Sequence, residues 1–306
     1  MSKFLTALKL LTRNPMGLKE AIDRNFSRSF ISRCIPDKAY LRYRYKANFC
    51  KKLNLTNPQT FNEKLNWLKL NDRKNSYTNM VDKYEVKKLV ANKIGEQYLI
   101  KTLCVCDDAN SIKLENLPNQ FVLKCTHDSG STIICRDKNK FDLNNAKKVL
   151  RKKLKRNMYF WGREWPYKNV KPRIIVEEFL KNDGDDHLPV YKYMCFNGQP
   201  KIIQTIQNDK QPNETVDYFD IEWKQLKIRQ NFPNSEKPLG KPEQLEQMLA
   251  LAKILSEGHS FIRVDFYVIN GAVYFSEYTF YSDCGLVPFV PEEWDYKLGS
   301  WINLQN

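Results

Sequence analysis

Nowhere in this chain of 306 residues is there an apolar run long enough to cross a bilayer. No charged start, apolar stretch and small-residue cleavage site follow one another as a secretory leader requires, so the expected location is the cytoplasm. There is no C-x-x-C pair either. Cys34, Cys50, Cys104, Cys106, Cys125, Cys135, Cys195 and Cys284 are scattered, which argues against a disulfide framework or a zinc site and reads as reduced thiols. Internal repeats and low-complexity tracts are missing as well, which excludes solenoids and disordered arrays.

Acid is scarce at the front. From Lys3 to Lys52 the basic residues face only Glu20, Asp23 and Asp37, and the whole chain carries a formal charge of +15. Such a field attracts anions: nucleotides, nucleic acid, acidic glycans or an anionic membrane. Phe4-Leu5, Leu8 and Leu10-Leu11 give the start an amphipathic helical pattern. Two readings stay open for it, peripheral contact with the inner face of a membrane and a docked helix with a solvated basic face.

Residues 1–75 read as a helical, basic N-terminal region. Thr60 with Glu63 forms a capping box ahead of Leu65, Trp67-Leu68 and Leu70. A second helix is expected from Asp82 to Ile94, stopped by Gly95, with an extended stretch from Tyr98-Leu99-Ile100. Strands follow at Phe121 to Lys124, Ile133 to Cys135 and Ile174 to Val176, with a helix from Asp142 between the last two. Two hairpins close the pattern, one turning at Asn197-Gly198 and one at Asn270-Gly271, with a helix from Pro242 to Leu255 between them. The fold class is α+β.

Several groups in this pattern carry chemistry. Lys124 ends an apolar strand and is followed by Cys125 to Thr132, a hydroxyl-rich loop with one glycine, Gly130. A strand lysine and a loop offering N–H groups and hydroxyls make a phosphate clamp. Ile174-Ile175-Val176-Glu177-Glu178-Phe179-Leu180 runs from an apolar strand into two carboxylates and suits an adenine cleft. Asp265 and Glu277, on the two strands of the last hairpin, offer the hard oxygen ligands that Mg²⁺ takes. They meet only if the loop at Asn270-Gly271 has three residues, with Gly271 left-handed and bulged, because a two-residue turn pairs Asp265 with Ser276. Arg263 shares the face of Asp265 by strand alternation, and Lys192, between Tyr191 and Tyr193 in mid-strand, needs an anionic partner or an exit to water.

The series Asp82-Lys83, Phe121-Val122-Leu123-Lys124, Val176-Glu177-Glu178-Phe179-Leu180, Tyr191-Lys192-Tyr193, Arg263-Val264-Asp265 and Ser276-Glu277-Tyr278-Thr279 resembles the ATP-grasp superfamily. Asn57 to Leu68, Lys124 to Asp137 and Trp294 to Gly299 are similar to its teichuronopeptide-biosynthesis, TupA-like branch. The resemblance implies two α+β subdomains that sandwich ATP: a lid over residues 98–176 and a core over 76–97 and 177–306. It implies Lys83 and Lys124 on the α/β-phosphates with the loop residues Ser129, Gly130 and Ser131. Glu177 and the backbone of Glu178 and Leu180 would hold adenine, Lys192 and Arg263 the γ-phosphate and acyl phosphate, and Asp265, Glu277 and Thr279 the Mg²⁺. Two departures stand out, Thr279 where the superfamily commonly has Asn, and Asp128 inside the phosphate loop.

The activity implied is an ATP-dependent carboxylate–amine ligase passing through an acyl phosphate. The branch points to an amino acid joined to a sugar acid of a cell-surface polysaccharide precursor. Its rival is a glycosyltransferase using Asp183-Gly184-Asp185 as a D-x-D metal site, although the front of the chain lacks the βαβ units such a fold needs. Nucleic-acid binding would explain the charge and leave the Asp265/Glu277 hairpin without a role, so no nucleic-acid partner is expected.

Overall fold

The computed structural model describes residues 29–183, 188–209 and 211–304. The amphipathic stretch expected at Phe4 to Leu11 lies outside the described residues, as do Gly184 and Asp185 of the D-x-D triplet. The described chain opens with helices α1 (Phe30–Cys34), α2 (Asp37–Phe49), α3 (Phe61–Asn71), α4 (Tyr77–Val81) and α5 (Glu85–Ile94). Strands β1 (Thr102–Cys106), β2 (Phe121–Cys125) and β3 (Ile133–Cys135) lead to helices α6 (Leu143–Leu154) and α7 (Tyr159–Gly162) and then to β4 (Ile174–Glu178). The remainder is β5 (Val190–Phe196), β6 (Gln199–Gln207), β7 (Thr215–Phe219), β8 (Gln225–Leu226), α8 (Leu245–Ser256), β9 (Phe261–Ile269), β10 (Ala272–Thr279) and α9 (Glu293–Ser300). Among the described residues no helix is long and apolar enough to cross a membrane.

Local chemistry sets the helix ends. The Thr60 hydroxyl accepts the Glu63 N–H at 3.2 Å, while the Glu63 carboxylate accepts the N–H of Gln59 at 2.8 Å and of Thr60 at 3.2 Å. That is the capping box read from the sequence, and it starts α3. Asp82 caps α5 by accepting the N–H groups of Tyr84 and Glu85. Gly95, at φ +104°, ends the helix. The extended stretch expected at Tyr98 begins later, because Glu96–Tyr98 closes a 3₁₀ turn through a bond from Leu99 N–H to the Glu96 carbonyl.

Both sheets are antiparallel. The smaller runs β1-β4-β2-β3. Alternation turns Phe121, Leu123, Cys125, Ile174 and Val176 into a core shared with Ala146 and Leu150 of α6, which leaves Val122, Lys124, Ile175 and Glu177 on the other face. Because β4 continues to Glu178, the boundary expected between residues 176 and 177 falls inside a strand of this sheet.

The larger sheet runs β10-β9-β5-β6-β7-β8. Tyr193, Val264, Phe266 and Tyr278 join Met248, Ala252 and Leu255 of α8 in its core, and the Tyr278 hydroxyl donates to the Leu255 carbonyl at 3.1 Å. The hairpin of β9 and β10 corrects one expectation. Its turn has two residues, Asn270 at φ +49° and Gly271 at φ +80°, so Ile269 faces Ala272 and no bulge forms in the loop. The register shifts further along: Phe266 faces Phe275, Asp265 faces Glu277, and Ser276 is the extra residue. Phe275 and Tyr278 are both buried in the core, so Ser276 and Glu277 both turn to the opposite face.

Arg163 welds the N-terminal helices to this body. Only 1% exposed, it donates to the carbonyls of Ser32, Ile35 and Phe160, pairs with Asp37 at 3.1 Å and lies 4.1 Å from the Tyr40 ring centroid. Tyr40, Leu41 and Tyr45 of α2 pack with Leu286 in a separate small core.

Candidate active site

One row of cross-strand partners crosses the larger sheet: Glu277 on β10, Asp265 on β9, Lys192 on β5, Gln204 on β6 and Tyr218 on β7. Strand alternation puts these side chains on the face away from α8, and the Ser276 bulge brings Glu277 into line. Arg263, two residues before Asp265, grips it in a fork: Nε to Oδ1 and Nη2 to Oδ2 are both 2.8 Å, with both residues buried. The Asp265 charge holds the Arg263 pKa up against burial. Lys192 Nζ lies 4.0 Å from Asp265 Oδ2, and burial, helped by Arg263, lowers its pKa. Glu277 accepts no hydrogen bond among the described residues. Burial resists its ionisation, yet Lys83, Arg263, Lys192 and Lys124 outweigh it and leave the pKa below the usual carboxylate range.

The smaller sheet supplies the other wall. Lys124 Nζ is 2.8 Å from Glu177 Oε2, and Lys87 Nζ is 2.5 Å from Oε1. Burial opposes the charge on Glu177, and the two lysines still pull its pKa down. Lys83 bridges the layers, its N–H donating to the Thr126 carbonyl at 3.0 Å and its Nζ to the Asp128 carbonyl at 2.7 Å. The loop after β2 is stapled from within: the Ser131 hydroxyl accepts the Cys125 N–H at 2.8 Å and donates to Asp128 Oδ1 at 2.5 Å. Lys153 of α6 holds the Gly130 carbonyl at 2.7 Å. Asp128 is buried and is not among the residues that line the opening.

Between the walls lies a cleft of about 1300 Å³, lined by Lys83, Lys124, Ser129, Gly130, Glu177, Glu178, Leu180, Lys192, Arg263, Asp265, Glu277 and Thr279. Three engagements differ from those expected. Ser131 does not line the cleft, because its hydroxyl is spent on Asp128 and Cys125. Both Glu177 oxygens already meet lysines, so an adenine amine would have to share an oxygen with Lys87 or Lys124. The Glu178 N–H is bonded to the Lys101 carbonyl at 3.0 Å, so of the expected hinge Leu180 is the residue past the strand end.

Other lining residues were not anticipated. Lys87 falls four residues after Lys83, at the spacing that puts two side chains on one helical face, so the signal was present. Glu164 and Cys284 line the cleft beside buried Lys69, whose Nζ donates to the Cys284 carbonyl at 2.6 Å; burial pushes the Glu164 and Cys284 pKa values up and that of Lys69 down. Arg44, Asn48 and Trp161 extend the lining onto α2 and α7, where the Trp161 carbonyl accepts from Tyr40 and Arg44.

In chemical terms the cleft joins cationic groups, Lys83, Lys87, Lys124, Lys192 and Arg263 among them, to a facing pair of hard-oxygen ligands, Asp265 and Glu277. Glu277, held below the usual carboxylate range, accepts no hydrogen bond among the described residues, and each Asp265 oxygen has lone pairs beyond those that meet Arg263, so the donor set fits a hard divalent cation. A strand lysine and its loop facing a carboxylate-bearing antiparallel sheet make up the ATP-grasp fold. Within it, the chain belongs to the TupA-like ATP-grasp family, whose model matches residues 63–303. No curated protein matches the chain in sequence. Among solved structures it is similar to D-alanine–D-alanine ligase from Bacillus anthracis complexed with ATP, with 14% identity over 65% of this chain and 53% of that one and a TM-score of 0.39. The ATP-grasp ligase PsnB complexed with minimal precursor shares 10% identity over 71% and 57%, with a TM-score of 0.38. D-cycloserine synthetase DcsG shares 14% over 66% and 62%, with a TM-score of 0.37. The chain thus spans between 53% and 62% of the length of these three structures.

Proposed function

We propose that the protein is an ATP-dependent carboxylate–amine ligase that joins an amino acid to a sugar acid of a cell-surface polysaccharide precursor. The observation that carries this reading is the row Glu277–Asp265–Lys192 with Arg263 beside it, set in one cleft with Lys83, Lys87 and Lys124. An acceptor carboxylate oxygen attacks the γ-phosphorus, the bond to the β–γ bridging oxygen breaks and ADP leaves. The amine nitrogen then attacks the acyl carbon, phosphate departs with the electron pair of the C–O bond, and the nitrogen gives up a proton. Lys83 and Lys124 draw the α- and β-phosphates, with Lys87 beside them. Lys192 and Arg263 face the oxygens that gain charge as the γ-phosphoryl group transfers. Held by Asp265 and Glu277, with Thr279 beside them, Mg²⁺ would supply the positive charge that neutralises the β- and γ-phosphates. The small sheet, residues 98–178, serves as a lid that excludes water. The net charge of +15 suits a polyanionic acceptor.

The test is turnover. Purified protein is incubated with ATP, Mg²⁺ and pairs drawn from a panel of amino acids and uronic acid derivatives, with phosphate release and amide mass measured together. Phosphate and amide that both require the pair confirm the ligase. Thermal protection by a sugar nucleotide and none by ATP would sink it in favour of a transferase.

A further inference from the structure

We infer that a small chamber opening beside Lys192 binds the ammonium group of the incoming amine. The inference rests on the ligase reading and assigns a place to its second substrate. The chamber has a volume of about 160 Å³ and shares Lys192, Arg263 and Asp283 with the main cleft. A molecule seated in it emerges at the two cations that face the transferring phosphoryl group.

The lining of the chamber is rich in acceptors. Gln204, next in the cross-strand row after Lys192, is 7% exposed. Its orientation is fixed by its neighbours: the Tyr218 hydroxyl donates to Gln230 Oε1 at 2.8 Å and therefore accepts from Gln204 Nε2 at 3.3 Å. Gln204 Oε1 is left buried with no donor among the described residues. A buried acceptor without a donor is unfavourable, and a ligand carrying N–H groups relieves that cost. Glu214 and Asp283 add carboxylates from two separate segments, the connection before β7 and the turn after β10. A single water occupies about 30 Å³, so the chamber is several times too large for one. Carboxylate and amide oxygens around a space of this size match an ammonium, which brings three donors and one positive charge.

The experiment measures binding of single amino acids by calorimetry, with MgADP present, each compared with its N-acetyl derivative. At least one free amino acid is expected to bind, with the acetylated form at least about a hundredfold weaker, since acetylation removes the charge and two donors. Gln204→Leu, which keeps the shape and removes the acceptor, and Glu214→Gln should each weaken that binding by about tenfold or more. Equal affinity for free and acetylated forms, or unchanged affinity in both variants, overturns the assignment. If the wild-type protein binds MgATP and no amino acid, the chamber assignment falls while the ligase reading stands. If MgATP itself does not bind, the ligase reading falls and takes the chamber with it.

Discussion

Lys192 and Asp265 are cross-strand partners whose charged atoms stop at 4.0 Å, because Arg263 already takes both oxygens of the carboxylate at 2.8 Å. Arg263 therefore keeps Asp265 in place while Lys192 remains available to an incoming anion.

That division predicts different phenotypes along one row. Lys192→Met should lower kcat by about a hundredfold or more with little change in melting temperature, since an apolar chain replaces a buried, weakly paired cation. Asp265→Asn should also lower turnover, and it should cost about 3–5 kcal/mol of stability, because buried Arg263 loses the carboxylate that grips it and keeps only the more distant charges of Glu277 and Asp283. Glu277→Gln should raise the Mg²⁺ requirement and lower kcat. Calorimetric melting alongside steady-state kinetics separates the three, and equal stability loss in Lys192→Met and Asp265→Asn would contradict the assignment.

On the smaller sheet, Lys124→Ala should abolish detectable turnover and leave the fold intact, since Lys87 remains to balance Glu177. Lys83→Ala should weaken ATP binding less severely, because the other lysines still offset the phosphate charge. Nucleotide titration of both variants checks the order. Near-normal activity in Lys124→Ala at an unchanged melting temperature would remove it from the phosphate site.

Acid should act through Glu177. Burial opposes its charge, but Lys124 and Lys87 hold its pKa below the usual range, and Glu277 is depressed in the same direction. The unfolded chain thus binds these protons more readily, so the stability they contribute is full above about pH 4.3 and is lost as pH falls through the depressed values. Burial raises Glu164 and Asp295, which therefore act in the opposite sense: the stability linked to them is greatest at low pH and falls as pH rises through their raised values. Urea titrations of the wild type and Glu177→Gln from pH 7 downward should show a gap that closes as Glu177 protonates. A gap independent of pH would rule out this ion pair as its source.

MgATP should order the loop from Cys125 to Thr132, whose Ser129 and Gly130 are exposed beside Lys83 and Lys124. Hydrogen exchange across Phe121 to Cys135 should slow. Nucleotide at a hundred times its Kd should stabilise the protein by about 2.7 kcal/mol, read as a rise in melting temperature.

Much of the architecture was legible because local rules decide it. Alternation in Phe121 to Lys124 separates core from cleft, Thr60 and Glu63 announce their helix, and Asn270-Gly271 marks its turn. The position of the bulge was misplaced, although a trace of it is written in the chain. Phe275 and Tyr278 are three apart and both belong in the core, which a strict period of two cannot satisfy, so one residue between them had to be extra. The roles of Ser131 and Glu177 were not legible, since a hydroxyl or carboxylate carries no mark of which partner will take it. Gln204 reaches the small chamber, and Arg44 and Trp161 the cleft, only through tertiary packing, and nothing in their own surroundings in sequence singles them out.

The family match begins at residue 63, but the structure has no seam there. A chain trimmed to the matched residues would strip Arg163 of the Ser32 and Ile35 carbonyls, the Asp37 carboxylate and the Tyr40 ring together. A guanidinium that is almost wholly enclosed would then face emptied space, and Leu286 would lose the helix that covers it. The stretch before residue 63 is thus a support for the folded body as well as a wall of the cleft, and a fragment that reaches back to Ser32 should be more stable than one trimmed to the matched residues.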